Sequence, residues 1–224
     1  MNDRSYAQSI SAARRRRADR SVSVARCLRL ALSCWLLSAC APSDHELAEL
    51  GRRGAIQANA PVKATSILTV HAPASVVWHT LTDVAAWPRW QSGIETVSSE
   101  GTLGEGTAFT WRTDGTTIHS RVVLFDPPYR LAWIGQADIA HAVHVFVLAP
   151  LGPDTTRVES RESMDGPLLD WLYDSAALQA SENALLQNLK KAAEEESAKS
   201  ESAEVAASRA LPDQLPHVPP HQRD

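Results

Sequence analysis

Gly106-Thr-Ala-Phe-Thr-Trp-Arg-Thr-Asp-Gly-Thr-Thr-Ile-His-Ser-Arg-Val-Val-Leu-Phe125 reads as two strands joined by one tight turn. In extended chain alternate residues share a face, so Phe109, Trp111 and Thr113 point one way on the first strand. Ile118, Ser120, Val122 and Leu124 do so on the second. Asp114-Gly115 supplies the positive backbone angles that a two-residue hairpin requires. A lone hairpin is marginal in water, so this one must belong to a larger sheet.

Working outward, strand-like runs occupy 94–100, 130–137, 141–149 and 155–164, together with the β-branched Thr65–Val70. Gly101–Gly104, Asp126-Pro-Pro128 and Gly152-Pro153-Asp154 separate them, with a weaker break near 137–140. Before the sheet run, residues 74–83 carry Val77 and Leu81 one helical turn apart, with Pro73 suited to a helix start. Residues 85–90, interrupted by Pro88, allow a second short helix. From Gly166-Pro167 a long helical pattern follows, with Leu168, Leu172, Ala176, Leu185 and Leu189 at three-to-four spacing or its multiples. The order is β-αα-β6-α, an α+β chain with a seven-stranded antiparallel sheet. Such a sheet must bury a face, and the last helix is the large element available to cover it. A curved sheet around that helix leaves a cavity between them.

The flanks differ in charge from the whole. The 224 residues carry a formal charge of −4, but residues 1–39 hold eight arginines against Asp3 and Asp19. The remainder is strongly acidic and unsuited to nucleic acid, which needs a basic face. The arginines precede Leu30-Ala-Leu-Ser-Cys-Trp-Leu-Leu-Ser-Ala39, an apolar run about half the ~20 residues of a membrane span. It ends Leu37-Ser38-Ala39-Cys40, which resembles a bacterial lipobox whose cysteine is acylated and becomes the mature N-terminus. The expected organisation is a signal peptide at 1–39, a tether at 40–62, a folded domain at 63–197 and a disordered tail at 198–224. The tail's Ala/Ser/Glu/Lys composition and its four prolines offer too little apolar surface to offset ordering entropy. The expected location is the bacterial cell envelope, lipid-anchored at Cys40. With Ala41 rather than Asp after the cysteine, that means the periplasmic face of the outer membrane in a Gram-negative cell.

From Ala64 to about Lys191 the chain resembles the START-like (SRPBCC) superfamily, in its polyketide cyclase/dehydrase and lipid transport branch. The marks are Ala72-Pro73 before Val77-Trp78, Asp83-Val-Ala-Ala-Trp87-Pro88-Arg89-Trp90, and Gly106 through Arg112. Ser120-Arg121-Val122 leading to Asp126-Pro127-Pro128, Leu131-Ala-Trp133, Ala142-Val143-His144, Thr156-Arg157-Val158 with Glu162, and Gly166-Pro167 complete the series. The resemblance implies a helix-grip fold with an internal pocket for a hydrophobic ligand. It implies no reaction, because function lives in the site and not in the fold.

The inward faces are those that gather the large apolar groups: the two hairpin sets above, Leu131, Trp133 and Gly135, then Ala142, His144, Phe146 and Leu148, and finally Val158, Ser160, Glu162 and Met164. One alternation conflicts. Val143, Val145 and Val147 then point outward, which requires either a strand covered on both faces or the opposite phase. Candidate ligand-binding residues are Trp90, Phe109, Trp111, Ser120, Val122, Trp133, His144, Phe146, Ser160, Glu162 and Trp171. The aromatic ones offer flat surface for rings or acyl chains, or else serve as core. His144 and Glu162 are candidate acid/base groups, with Glu162 a diagonal neighbour of His144 across two strands. The other reading is a satisfied buried pair that orients a ligand. Trp87 and Trp90 are expected near the cavity mouth, and His119, Arg112 and Arg121 on a solvated face. The histidines show no metal-ligand spacing, and no phosphate loop, dinucleotide fingerprint or nucleophile elbow is present, so no metal or cofactor is expected. The expected function is that of a membrane-anchored binding protein for a lipid or polycyclic metabolite. The alternative is a cyclase, aromatase or dehydratase using His144 and Glu162.

Overall fold

A computed structural model describes residues 43–167, 169 and 173–210. Cys40, the apolar run before it and Trp171 lie outside the described residues. The elements are α1 (Asp44–Arg52), β1 (Val62–Val70), α2 (Ala74–Thr82), a 3₁₀ turn (Val84–Ala86), α3 (Trp87–Trp90), β2 (Ile94–Ser99), β3 (Ala108–Thr113), β4 (Thr116–Asp126), β5 (Arg130–Ala137), β6 (Ala140–Gly152), β7 (Thr155–Asp165) and α4 (Ser175–Ala210). The strands form one antiparallel sheet in the order β1-β7-β6-β5-β4-β3-β2. The expected α+β architecture, a seven-stranded sheet gripping a C-terminal helix, is the observed one.

The sheet's inner face carries Phe109, Val122, Leu131, Trp133, Phe146, Leu148 and Val158. They pack against Val77, Trp78 and Leu81 of α2, Trp87 of α3, and Leu186, Leu189 and Ala193 of α4. Helix α4 also closes the β1 edge. Gln179 Nε2 donates to the Thr65 carbonyl at 2.9 Å, Lys190 Nζ donates to the Thr69 carbonyl at 3.0 Å, and the Lys63 N–H donates to Ser175 Oγ at 3.0 Å. Those contacts occupy backbone groups that an open edge would leave free for pairing with another chain.

Three expectations need correction. The segment read as a tether contains a packed helix. Ser43 caps α1 by accepting from the Glu46 N–H, while the Glu46 carboxylate accepts from the Ser43 N–H at 2.9 Å. This reciprocal cap satisfies two free donors at the helix start. Leu47 and Ala48 then cover Val123, Ala132, Val143 and Val145 on the outer face. The alternating valines of β6 are therefore explained: this strand is buried on both sides, because α1 roofs it. Second, the inward phase of β4 does not run through to Leu124. A bulge between Val122 and Leu124 shifts the register, as an unpaired residue does. Leu124 packs outward against the α1 cluster, and Phe125 turns inward onto Trp78 at 5.1 Å. Third, the last helix starts at Ser175, not at Gly166-Pro167. Tyr173 and Asp174 are non-helical, and the Asp174 carboxylate accepts from the Ala177 N–H at 2.7 Å as a cap. The helix continues to Ala210, through residues read as tail. Burial ends at Ser197, beyond which the described side chains are exposed and the helix is carried by propensity and side-chain pairs.

The seat of α1 is tight at Gly51, where a Cβ would come within 2.5 Å of Val123 Cγ2. Val123 is β-branched and cannot turn away cheaply. Gly51→Leu is expected to lift α1 and cost about 1–3 kcal/mol. Urea unfolding measures this, and an unchanged midpoint would show that α1 contributes nothing to the fold.

Candidate functional site

Strands β6 and β7 place His144 directly opposite Glu162, and Phe146 opposite Ser160. The sequence reading had placed Glu162 on the diagonal. The register differs by one pair on that face because the chain turns at Pro153-Asp154, with Gly152 paired to Thr155. Helix α4 brings a third ionisable group, Glu182, which sequence reasoning missed. Its signal was present: Glu182 lies four residues from Leu178 and four from Leu186, on the buried stripe of an otherwise polar helix.

The three side chains and Ser160 form one connected network. His144 Nδ1 lies 3.8 Å from Glu162 Oε1, and His144 Nε2 lies 3.3 Å from Glu182 Oε2. Ser160 Oγ donates a short hydrogen bond to Glu182, which leaves it to accept from His144 Nε2–H at 2.7 Å. His144, Ser160 and Glu182 are buried, whereas the Glu162 side chain is 16% exposed. His144 is stacked on Phe146 at 4.3 Å and tilted against Trp133 at 4.9 Å. Aromatic faces favour a cation there.

Burial opposes charge on His144, but the carboxylates of Glu182 and Glu162 outweigh it and raise its pKa. Burial likewise pushes Glu182 up, and the His144 charge with its hydrogen bonds brings it below the ordinary carboxylate value. Glu162 goes the other way. Burial and the neighbouring Glu182 charge exceed the attraction of His144 and raise it to about 7. At neutral pH the cluster is an imidazolium–carboxylate pair beside a carboxyl group that holds or releases a proton readily. Two buried carboxylates with one cation cannot both ionise cheaply, and Glu182, which takes the hydrogen bonds of His144 and Ser160, is the one that stays ionised.

These groups stand at the inner end of a cavity of about 180 Å³. Trp87, Trp111, Trp133, Phe146, Leu81 and Ile94 form its apolar wall, and Gln91, Ser92, Asp114, Ser181 and Ala184 its rim. A dry cavity of ~150 Å³ admits one benzene ring, and drug-sized sites start near ~300 Å³. The space left among the described residues therefore suits one substituted ring. Much of the hollow is filled by aromatic packing: Trp87 meets Phe109 and Trp133 at 5.8 Å each, and Phe109 meets Trp133 at 5.7 Å. Asn188 of α4 donates to Gln91 Oε1 and Ser92 Oγ at 3.2 Å, which ties the α3–β2 loop across the mouth.

Of the candidate residues, Trp111, Trp133, His144, Phe146 and Glu162 line this cavity. Ser160 sits behind His144. Ser120 accepts from Trp111 Nε1 at 3.1 Å and so fixes that ring. Phe109 and Val122 are core. Trp90 is displaced from the expected position. It faces a separate surface groove with His79, Arg89 and Ala192, and Trp87 takes the place at the cavity. The Pro88 turn separates the two rings, and Trp87 is fixed by donating its Nε1–H to the Leu81 carbonyl at 2.9 Å. His119, Arg112 and Arg121 are exposed, with Arg112 paired to Glu95 at 2.8 Å. His144, Glu162 and Glu182 also offer three ligand atoms within 4.8 Å of one another, close enough to hold a metal ion. They come from three elements, so no sequence spacing reveals them.

The sequence profile described as polyketide cyclase/dehydrase and lipid transport matches residues 61–194, more than half of the chain. The chain belongs to this family. No curated protein matches it. Among solved structures, a hypothetical protein from Helicobacter pylori, jhp0584, is similar with TM-score 0.54 and 20% identity over 60% of this chain and 89% of that one. The di-domain aromatase/cyclase StfQ of the steffimycin biosynthetic pathway is similar with TM-score 0.50 and 20% identity. That match covers 58% of this chain and 44% of StfQ. A START superfamily protein from Mycobacterium smegmatis aligns at TM-score 0.48 and 18% identity, over 61% of this chain and 97% of that one. At these identities the first two likenesses bear on fold alone.

The proton balance of the cluster makes stability depend on pH. Glu162 is raised in the fold, so the folded state holds a proton that the unfolded chain releases above about 4.5. Its contribution is present at acid pH and is lost as pH rises toward 7. His144, also raised, acts in the same direction above the ordinary histidine value. The Glu182 contribution is lost only as pH falls below the ordinary carboxylate value. Stability is expected to fall between pH 5 and 8, and Glu162→Gln to remove up to about 3 kcal/mol of that fall. Urea unfolding at both pH values checks this, and parallel profiles for the two proteins would contradict it.

Proposed function

We propose that this protein binds a compact, ring-bearing small molecule, with the ring against Trp111, Trp133 and Phe146 and a polar atom on Glu162. The observation that carries this reading is a small aromatic cavity whose inner end presents the Glu162 carboxyl group. Membership of a family described by cyclases, dehydrases and lipid transport supports a hydrophobic ligand. The cavity volume favours one ring over the lipid or polycycle expected from sequence. Tryptophan fluorescence titration with substituted phenols and with phospholipids tests it. Saturable quenching by the phenols is expected, weakened at least tenfold in Trp133→Ala. Binding of phospholipid with no response to any single-ring compound would overturn it.

A second reading is favoured by the Glu162 pKa of about 7 at the cavity face, which suits general acid/base catalysis. Here Glu162 exchanges a proton with the guest, and the His144–Glu182 pair sets its charge. On a substrate that turns over, Glu162→Gln then lowers kcat by about 10²–10⁴ with little change in binding. Equal turnover by that variant removes the reading.

We also propose that the chain is exported and acylated at Cys40, on the strength of the arginine-rich flank, the short apolar run and Leu37-Ser38-Ala39-Cys40. Mass spectrometry of the membrane fraction is expected to find an acylated Cys40 at the mature N-terminus. Cys40→Ser should release the protein to the soluble fraction, and unchanged membrane recovery would contradict the anchor.

A further inference from the structure

The packed helix α1 leaves almost no tether. Only Ala41 and Pro42 separate Cys40 from Ser43, whose side chain and N–H already cap α1. Three residue steps reach at most about 11 Å. Asp44, the first residue of α1, lies 3.4 Å from His141 at the start of β6. That start shares one end of the sheet with the Asp114–Gly115 turn and the Asp138–Ile139 turn, as the pairs Thr113↔Thr116, His119↔Gln136 and Ala137↔Ala140 require. The turns at Pro127–Tyr129 and Gly152–Asp154 share the other end.

Resting on the reading of Cys40 as acylated, we propose that the Asp114/Ile139 end of the domain lies against the bilayer surface and that the cavity mouth opens toward the lipid. Asp114 belongs both to that end and to the cavity rim, together with Ser92 and Ser181. Ile139, 39% exposed, stands at the tip of the neighbouring turn. The opposite end also exposes apolar groups, Tyr129 at 49% and Leu151 at 60%. Reach decides between them. β6 has 13 residues, and at ~3.3 Å per residue it separates the ends by roughly 40 Å along the strand. A tether of about 11 Å does not let the far end contact the membrane that holds Cys40. A guest dissolved in the bilayer then enters through the loop that Asn188 ties to α4, without crossing bulk water.

The test uses the mature acylated protein in vesicles of phosphatidylethanolamine and phosphatidylglycerol doped with a headgroup-nitroxide lipid. Removal of residues 1–39 leaves Cys40 as the sole cysteine, so Ile139→Cys and Leu151→Cys each accept one fluorophore. The label at 139 is expected to lose most of its emission and the label at 151 to keep it. Inserting about 20 Gly/Ser residues after Ala41, with a reach of about 25 Å, should shrink the difference. Equal or reversed quenching on protein whose acylation is verified by mass overturns the proposed orientation alone. A difference that survives the insertion overturns the tether as its cause. An unmodified Cys40 overturns the anchor reading and the orientation with it.

Discussion

A charge pair is buried where sheet and helix meet, and the arrangement of the site depends on it. His144 of β6 and Glu182 of α4 face each other across the concave face, joined through Ser160. Neither charge has water to fall back on, so each requires the other, and removing one partner of such a pair costs about 3–5 kcal/mol. The pair fixes the rotation of α4 over the sheet. That rotation puts Leu186, Leu189 and Ala193 into the core and leaves Ser181, Ala184 and Leu185 along the cavity. The third group, Glu162, faces the same imidazolium from the other side but cannot ionise on equal terms. The result is a carboxyl group set apart from its neighbours by burial and by the Glu182 charge, and turned toward the open space.

The aromatic residues decide how much space that is. Trp87, Phe109, Trp133 and Phe146 pack edge-on or tilted against one another. They fill much of the space between the sheet and the helices. What remains is small, lined by rings and closed at its inner end by ionisable groups. That combination selects for shape and for one polar contact more than for chain length. The outer face serves a different purpose. There α1 completes the burial of β5 and β6 and brings the N-terminal end of the domain onto the sheet beside His141.

Much of this was legible in the sequence because strands and turns report themselves locally. Asp114-Gly115 gave the hairpin, and the inward alternation of Trp133, His144, Phe146 and Ser160 held in the structure. The outward valines of β6 already demanded a cover, but the sequence did not show that residues 44–52 supply it. The Ser43 cap and the small Gly51 were its marks, read among polar and small residues as linker. The bulge at Val123 was not legible, since a register shift depends on the partner strand. Glu182 was missed because a glutamate within an acidic, polar helix looks solvated until its place on the apolar stripe is counted. The part of the cluster carried by two strands was visible, and the part carried by the helix was not.

The proton inventory of the cluster tests this account most directly. Carbon-13 NMR of glutamate-labelled protein, assigned with Glu162→Gln and Glu182→Gln, follows each carboxyl group with pH. The account predicts that Glu162 titrates near 7, while Glu182 stays ionised below the ordinary carboxylate value and His144 stays protonated above the ordinary histidine value. Two glutamates that titrate together near 4.5, beside a neutral His144 at pH 6, would contradict it.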